Sequence, residues 1–140
     1  MQNLQGQPRF GVYFWIALAA AVGGGLRHVL SVAWIVHWGD GWPWPTLLVN
    51  VVGSFLIVAF WTLSGPDGRF PVSVGRQAAF MAGFCGGFTT FSLFGVETWQ
   101  LVVQGRIGDA LGYVGLTLVG ALLAAALGAC RMMPARSCQR

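Results

Sequence analysis

The chain has 140 residues, of which 56% are hydrophobic and only 9% are charged, and its mean hydropathy is +0.67. A soluble domain carries about 25% charged residues, and a chain this short could not bury so much apolar surface in one core. The formal net charge of +4 comes entirely from arginines, which mostly flank apolar runs and do not form a nucleic-acid-binding patch. The composition therefore predicts a membrane protein that binds no nucleic acid.

Four apolar segments are long enough to cross a hydrocarbon core of about 30 Å, which takes about 20 helical residues. They cover about residues 11–36, 44–63, 74–103 and 107–133, with short polar or turn-rich links between them. The first segment is too long for the apolar part of a signal peptide and shows no clear cleavage site. The sequence predicts an all-α membrane protein that forms a single four-helix unit over residues 1–140.

The cysteines give no sign of a metal site or a disulfide framework. Cys85, Cys130 and Cys138 are odd in number and lack the spacing of metal ligands, so we interpret them as packing or incidental thiols.

Polar groups inside the first span are candidates for function, because ionisable side chains are expensive in hydrocarbon. The stretch GGGLR, residues 23–27, combines three glycines that allow close helix approach with the permanent cation of Arg27. Two interpretations stay open: Arg27 extends to the membrane interface, or it lines a vestibule that attracts anions.

The second and fourth spans each carry polar residues at helical spacing. Thr46, Asn50 and Ser54 are four residues apart and share one helix face, and Tyr113 and Thr117 repeat that spacing. The carboxamide of Asn50 can donate two hydrogen bonds to an anion without carrying a charge. Such stripes more commonly join helices, although they can also line a wet path.

The third span contains the sequence GGFTTFSLF, residues 86–94, at its middle. Two glycines followed by two β-branched threonines are poor helix formers, and the carbonyls freed by a break suit an alkali cation. Phe88, Phe91 and Phe94 recur every three residues, and the positive edges of their rings could line the route of an anion. An aromatic stripe of this kind is more often packing or lipid contact. The motif predicts a third helix that is broken in the middle of the membrane.

Three blocks of the chain resemble one family. The sequence GFCGGFTTFSLF, residues 83–94, followed by Glu97, resembles the GFxGGxTTFSTFxxE signature of the Fluc/CrcB fluoride channels. The sequence TLLVNVVGSF, residues 46–55, is similar to the second-helix segment of that family, and residues 23–27 are similar to its glycine-rich stretch ending in arginine. The TTFS block is highly specific, and the matches follow the family order along nearly the whole chain.

The resemblance implies a passive fluoride-selective channel, not an enzyme, that exports cytoplasmic fluoride across the bacterial inner membrane. It implies an antiparallel homodimer in contact with membrane lipid, with two pores, a structural sodium ion at its centre and no organic cofactor. The arginines favour one orientation, with both termini in the cytoplasm, which leaves open a pairing with an oppositely oriented homologue.

The resemblance also implies roles for single residues. Main-chain carbonyls of Gly86 and Thr89 from both subunits would hold the sodium ion, and Arg27 would belong to the vestibule. Glu97 matches a family position without an implied role. The residues expected to line the fluoride pores are Thr46, Asn50, Thr90, Phe91, Ser92, Phe94, Tyr113 and Thr117.

Three positions depart from the family pattern: Pro45 replaces a glycine, Leu93 replaces a threonine and Ala121 replaces a serine. The last two remove hydroxyls, so the polar track is expected to be shorter here.

Two other classes of protein remain alternatives. A small proton-coupled multidrug transporter would need a buried carboxylate in the first span, where this chain has only Arg27. A membrane accessory subunit without transport activity would explain helix packing but not the combination of TTFS, Asn50 and Arg27.

Overall fold

The computed structural model of the protein describes residues 9–65 and 68–132. Cys138 and the predicted end of the fourth span at Met133 lie outside the described residues. All regular secondary structure in the described ranges is helical. In chain order, the elements are α1 (Arg9–Trp38), α2 (Trp44–Ser64), α3 (Val74–Ala78), a π-helical segment (Ala79–Cys85), α4 (Gly86–Phe88), α5 (Phe91–Val103) and α6 (Ile107–Met132).

Four stretches of this structure are long and apolar enough to cross a membrane, as the sequence predicted. The third comprises α3, the π-helical segment, α4 and α5, and is bent where the chain leaves the helical conformation. Many large apolar side chains on the outside are exposed, for example Leu122 at 71% and Leu111 at 69%, as expected of a surface in contact with lipid. The protein is a multi-pass membrane protein.

Glycines allow the helices to pack backbone against backbone. The helix α1 lies against the π-helical segment and α4, while α2 lies along α6. A Cβ atom at Gly23 would meet the carbonyl oxygen of Phe84, and one at Gly87 would meet that of Ala20. A Cβ atom at Gly128 of α6 would lie 2.9 Å from the Phe55 carbonyl oxygen of α2. Small residues at these crossings permit the close approach that drives helix association in lipid.

Proline and glycine set the turns at one end of the molecule. Pro45, which departs from the family pattern, is the second residue of α2, where a missing backbone N–H breaks no helical hydrogen bond. Gly39 follows α1 with φ of 81°, and Gly105 lies between α5 and α6 with φ of 75°. Glycine adopts this left-handed conformation without steric cost, so both links reverse within a few residues.

The break in the third span lies at the two threonines. Thr89 has φ and ψ of −82° and 161°, and Thr90 has −151° and 123°, so both are extended. Gly86 remains helical, with φ and ψ of −63° and −36°. The predicted break is therefore present, but the glycines precede it as part of a helix. No feature of the sequence predicted the π-helical segment that precedes the break.

Candidate functional site

The carboxamide of Asn50 closes the gap in the third span. Its Nδ2 donates to the Thr90 carbonyl oxygen at 3.0 Å, and the Thr90 backbone N–H donates to its Oδ1 at 2.8 Å. In a continuous helix that N–H would donate to the carbonyl of Gly86. Asn50 thus takes the place of the helical hydrogen bond and keeps one of its two amide N–H groups for another partner.

The break leaves backbone carbonyls without helical partners. Because α4 ends at Phe88, no following turn of the same helix donates hydrogen bonds to the carbonyl oxygens of Gly86, Gly87 and Phe88. The Nε of Arg27 donates to the Gly87 carbonyl oxygen at 3.4 Å. Gly86 is exposed, and a Cβ atom there would have only the Met81 carbonyl oxygen nearby, at 3.9 Å. The chain therefore has open space beside Gly86.

A cavity of about 350 Å³, here named the inner cavity, lies between α2, the break and α6. The predicted pore and cation-site residues among its lining are Asn50, Gly86, Thr89, Thr90, Phe91, Phe94 and Thr117.

The hydroxyl of Thr117 is the unusual group in the inner cavity. Thr117 is only 5% exposed, and its Oγ1 has no hydrogen-bond partner among the described residues. A buried polar group without a partner costs about 1–3 kcal/mol, so it indicates a place for water or an ion.

Glu97 forms a second polar cluster one turn further along α5 from Phe94. Its Oε1 accepts a hydrogen bond from the Thr46 hydroxyl at 2.9 Å, and its Oε2 accepts one from the Tyr113 hydroxyl at 2.7 Å. Tyr113 is fully buried and Thr46 is 2% exposed. The structure thus brings Thr46 and Tyr113 together around the Glu97 carboxylate, for which no role was predicted from the sequence.

A simple sequence signal points to Glu97. It is the only acidic residue that lies well inside a predicted span, because Asp40 and Asp67 fall in links and Asp109 lies at the start of the fourth span. An ionisable residue inside the membrane is a functional candidate by default.

The two phenylalanines lie in different environments. Phe94 is 8% exposed and packs on Tyr113, with ring centroids 5.1 Å apart. Phe91 lies 5.7 Å from the Phe94 ring centroid but is 81% exposed on the surface of the single chain. Phe94 therefore separates the inner cavity from the Glu97 cluster, whereas Phe91 points away from the core of the chain.

A second cavity, here named the outer cavity, lies at the end of the molecule where α5 meets α6. It measures about 380 Å³ and is lined by Glu97 together with Asp40, Gln100, Gln104 and Arg106. The Nε of Arg106 lies 2.7 Å from Oδ2 of Asp109 in an ion pair. Glu97 thus belongs to both the buried polar cluster and a polar mouth.

Other predicted residues lie outside this arrangement or have local partners. The Thr90 hydroxyl accepts a hydrogen bond from the Leu93 backbone N–H at 3.1 Å and so caps α5. Ser92 is exposed, and its hydroxyl oxygen lies 3.3 Å from the Thr90 hydroxyl oxygen. Neither Ser92 nor Arg27 lines the inner or the outer cavity. In residues 9–65 and 68–132 no group of three His, Cys, Asp or Glu side chains could hold a metal ion.

These features define a helical membrane protein with four spans, a broken third span and a row of polar groups between its helices. The chain belongs to the CrcB-like protein family, Camphor Resistance (CrcB), whose model matches residues 14–129. It is 43% identical to the Fluoride-specific ion channel FluC of Methylocella silvestris over 116 residues, which cover 83% of this chain and 88% of that protein. It is 45% identical to the protein of the same name from Opitutus terrae over 117 residues, which cover 84% and 89% of the two chains.

Proposed function

We propose that the chain is a subunit of a fluoride-selective channel through which cytoplasmic fluoride leaves the cell passively. The relatives are named fluoride-specific ion channels and match this chain over most of their length, which supports a channel rather than an enzyme. The observation that carries the proposal is the Thr117 hydroxyl, buried without a partner in a cavity that also contains Asn50 and Phe94.

The inner cavity offers the kind of donors that fluoride needs. Fluoride is small and strongly hydrated, so a pore must replace its water with hydrogen-bond donors. The Thr117 hydroxyl, the second amide N–H of Asn50 and the ring edge of Phe94 can supply them. Among the described residues no basic side chain lines the inner cavity, so the ion would be bound weakly enough to leave again.

The proposed path continues from the inner cavity past Phe94 to the Glu97 cluster and the outer cavity. The hydroxyls of Thr46 and Tyr113 donate to the Glu97 carboxylate in this structure. A passing fluoride would compete with the carboxylate for these donors, so we propose that the two hydroxyls exchange between Glu97 and the ion.

The channel is proposed to be an antiparallel dimer with two pores, formed by two copies of this chain or by this chain and an oppositely oriented homologue. The high exposure of Phe91 beside the inner cavity supports a partner surface there. Each Phe91 would then face the pore of the other subunit. Arg27, near the break, would contribute positive potential to the approach rather than direct contact with the ion.

A sodium ion at the centre of this dimer is proposed to rest on the carbonyls of Gly86 and Thr89 from both subunits. The residues fit such an ion, because the break frees the Gly86 carbonyl and open space lies beside Gly86. The ion would supply a positive charge that holds two helix ends together. The location proposed for the channel is the bacterial inner membrane, with the arginine-rich ends of the spans in the cytoplasm.

The proposal can be tested with a matched pair of threonine substitutions in liposomes loaded with potassium fluoride. Thr117→Val removes the unpartnered hydroxyl from the inner cavity and is expected to reduce fluoride efflux at least tenfold. Thr62→Val is the control, because the Thr62 hydroxyl bonds to the Val58 carbonyl of its own helix, at 2.8 Å, and Thr62 does not line the inner cavity. Equal efflux through both variants would remove Thr117 from the pore.

A further inference from the structure

A lateral groove lies between α1 and the first part of the third span, and it shares no residue with the inner or the outer cavity. Its volume is about 800 Å³, within the range of ligand sites of about 300–1,000 Å³. Its walls are almost entirely apolar, and the large side chains in them are Val12, Trp15, Leu18, Val22, Phe80 and Phe84. The proposed fluoride path makes no use of this groove.

The groove has the depth of one membrane leaflet. Its α1 wall runs from Gly11 to Val22, which corresponds to about 16 Å at 1.5 Å per residue. The hydrocarbon core is about 30 Å thick, so the groove begins at one membrane face and ends near the middle. A transmembrane helix of a partner that packed along the whole span would extend beyond this groove. An acyl chain of one leaflet needs only this length.

The end of the groove at the membrane face carries a cation and a hydroxyl. Ser73 and Arg76 line this end, and the adjacent Gly75 lies close to Val12, whose side chain would be 3.3 Å from a Cβ atom there. Arg76 is exposed, and among the described residues the only ion pair is that of Arg106 with Asp109. Ser73 precedes α3 but makes no capping hydrogen bond with its side chain. Both side chains therefore have donors available above an apolar groove.

We propose that the lateral groove binds one acyl chain of an anionic phospholipid, with the lipid phosphate on Arg76 and Ser73. The guanidinium group matches a phosphate in both charge and geometry, since it can donate two parallel hydrogen bonds. Arg76 lies at the membrane face, about one leaflet depth from the end of the groove in the middle of the membrane. This separation matches that between the headgroup and the end of the acyl chain in a phospholipid. This site is independent of the fluoride path.

Trp15 in the groove wall allows a direct test by fluorescence quenching. The full-length protein is placed in phosphatidylcholine bilayers that contain a small fraction of either brominated phosphatidylglycerol or brominated phosphatidylcholine with identical chains. Because the chain has seven tryptophans, the signal of Trp15 is taken as the difference between the wild type and Trp15→Phe. Brominated phosphatidylglycerol is expected to quench Trp15 at least threefold more than brominated phosphatidylcholine at an equal fraction.

Two arginine variants separate the groove from general charge. Arg76→Gln is expected to abolish the preference for phosphatidylglycerol. Arg131→Gln is the matched control, because Arg131 is exposed near the end of α6, at the same membrane face, but does not line the groove. If Arg76→Gln fails to fold, high salt applied to the wild type gives the same test, since it should weaken the preference by screening the charge.

Several results would overturn the proposal. Equal quenching by both lipids in the wild type would mean that the groove contacts lipid without selecting a headgroup. Absence of quenching by either lipid would mean that protein, such as a second copy of the chain, covers Trp15. Loss of the quenching preference on addition of soluble glycerol phosphate would indicate a phosphate site that needs no acyl chain.

Discussion

At the scale of single residues, the Asn50 side chain has two roles. It bonds the backbone of Thr90 through both ends of its carboxamide, and it keeps one N–H that can face the inner cavity. A single polar residue thus maintains the break and lines the proposed path. The sequence indicated the second role by the chemistry of the amide, but the first depends on a contact between residues 40 positions apart.

The substitution Asn50→Asp tests both roles together. The carboxylate cannot donate to the Thr90 carbonyl and brings a negative charge into the inner cavity, so fluoride efflux at neutral pH should be largely lost. The free energy of unfolding should also fall by about 1–3 kcal/mol, because the Thr90 carbonyl loses its donor. The control is Thr62→Val, since the Thr62 hydroxyl bonds to the Val58 carbonyl of its own helix and Thr62 lines neither the inner nor the outer cavity. Normal efflux through Asn50→Asp would exclude Asn50 from the pore.

The contact between Glu97 and Thr46 could not be predicted from the sequence. The polar spacing selected Thr46, Asn50, Tyr113 and Thr117, but it could not tell which of them meet. The structure divides them between the Glu97 cluster and the inner cavity, because α5 crosses α2 and α6 at Phe94 and Glu97. That crossing depends on packing between distant parts of the chain.

At the scale of the helices, the predicted spans agree with the structure within two residues at every end that the structure describes. Span limits follow from hydropathy and from the turn residues between spans, which are local properties of the sequence. The position of the break was predicted within the motif, since glycines and threonines are poor helix formers. The π-helical segment Ala79–Cys85 carries no comparable local signal, because its mixture of alanine, phenylalanine, methionine, glycine and cysteine does not distinguish a π-helix from an α-helix.

The adjacent glycines before the break should respond differently to a methyl group. A Cβ atom at Gly87 would meet the Ala20 carbonyl of α1, so Gly87→Ala should separate these helices and lower the melting temperature. A Cβ atom at Gly86 meets nothing closer than 3.9 Å within the chain, so Gly86→Ala should spare the fold of the subunit. In the proposed dimer, the same methyl group should weaken association.

Thermal unfolding and chemical cross-linking of both glycine variants in detergent would measure these two effects. A Gly86→Ala variant that assembles as the wild type does would argue against a partner chain beside the break. A Gly87→Ala variant with unchanged melting temperature would contradict the close packing of α1 on the third span.

At the scale of the whole molecule, the polar features extend from one end of the chain's helical bundle to its middle. The outer cavity, the Glu97 cluster and the inner cavity follow one another, and the inner cavity reaches the exposed Phe91. A path that ends on the surface of one subunit would be completed by a second subunit. Local sequence properties do not determine how the chain assembles. The dimer is proposed from the family resemblance and from the exposed Phe91 beside the inner cavity.

The proposed sodium ion gives a further expectation for the assembled molecule. Protein stripped of sodium and kept in N-methylglucamine should melt at a lower temperature, because a ligand that binds only the folded dimer stabilises it. Added sodium should restore the melting temperature, and potassium should restore it poorly if the carbonyl cage is tight. Identical melting in all three cations at constant ionic strength would contradict a cation site at the break.

The most direct test of the central claim is anion efflux from liposomes that contain the wild-type protein and equal concentrations of potassium fluoride and potassium chloride. Valinomycin is added to allow potassium to leave, and selective electrodes record both anions outside. A fluoride channel predicts rapid release of fluoride while chloride stays inside. Release of both anions at similar rates, or fluoride release no faster than from protein-free liposomes, would contradict it.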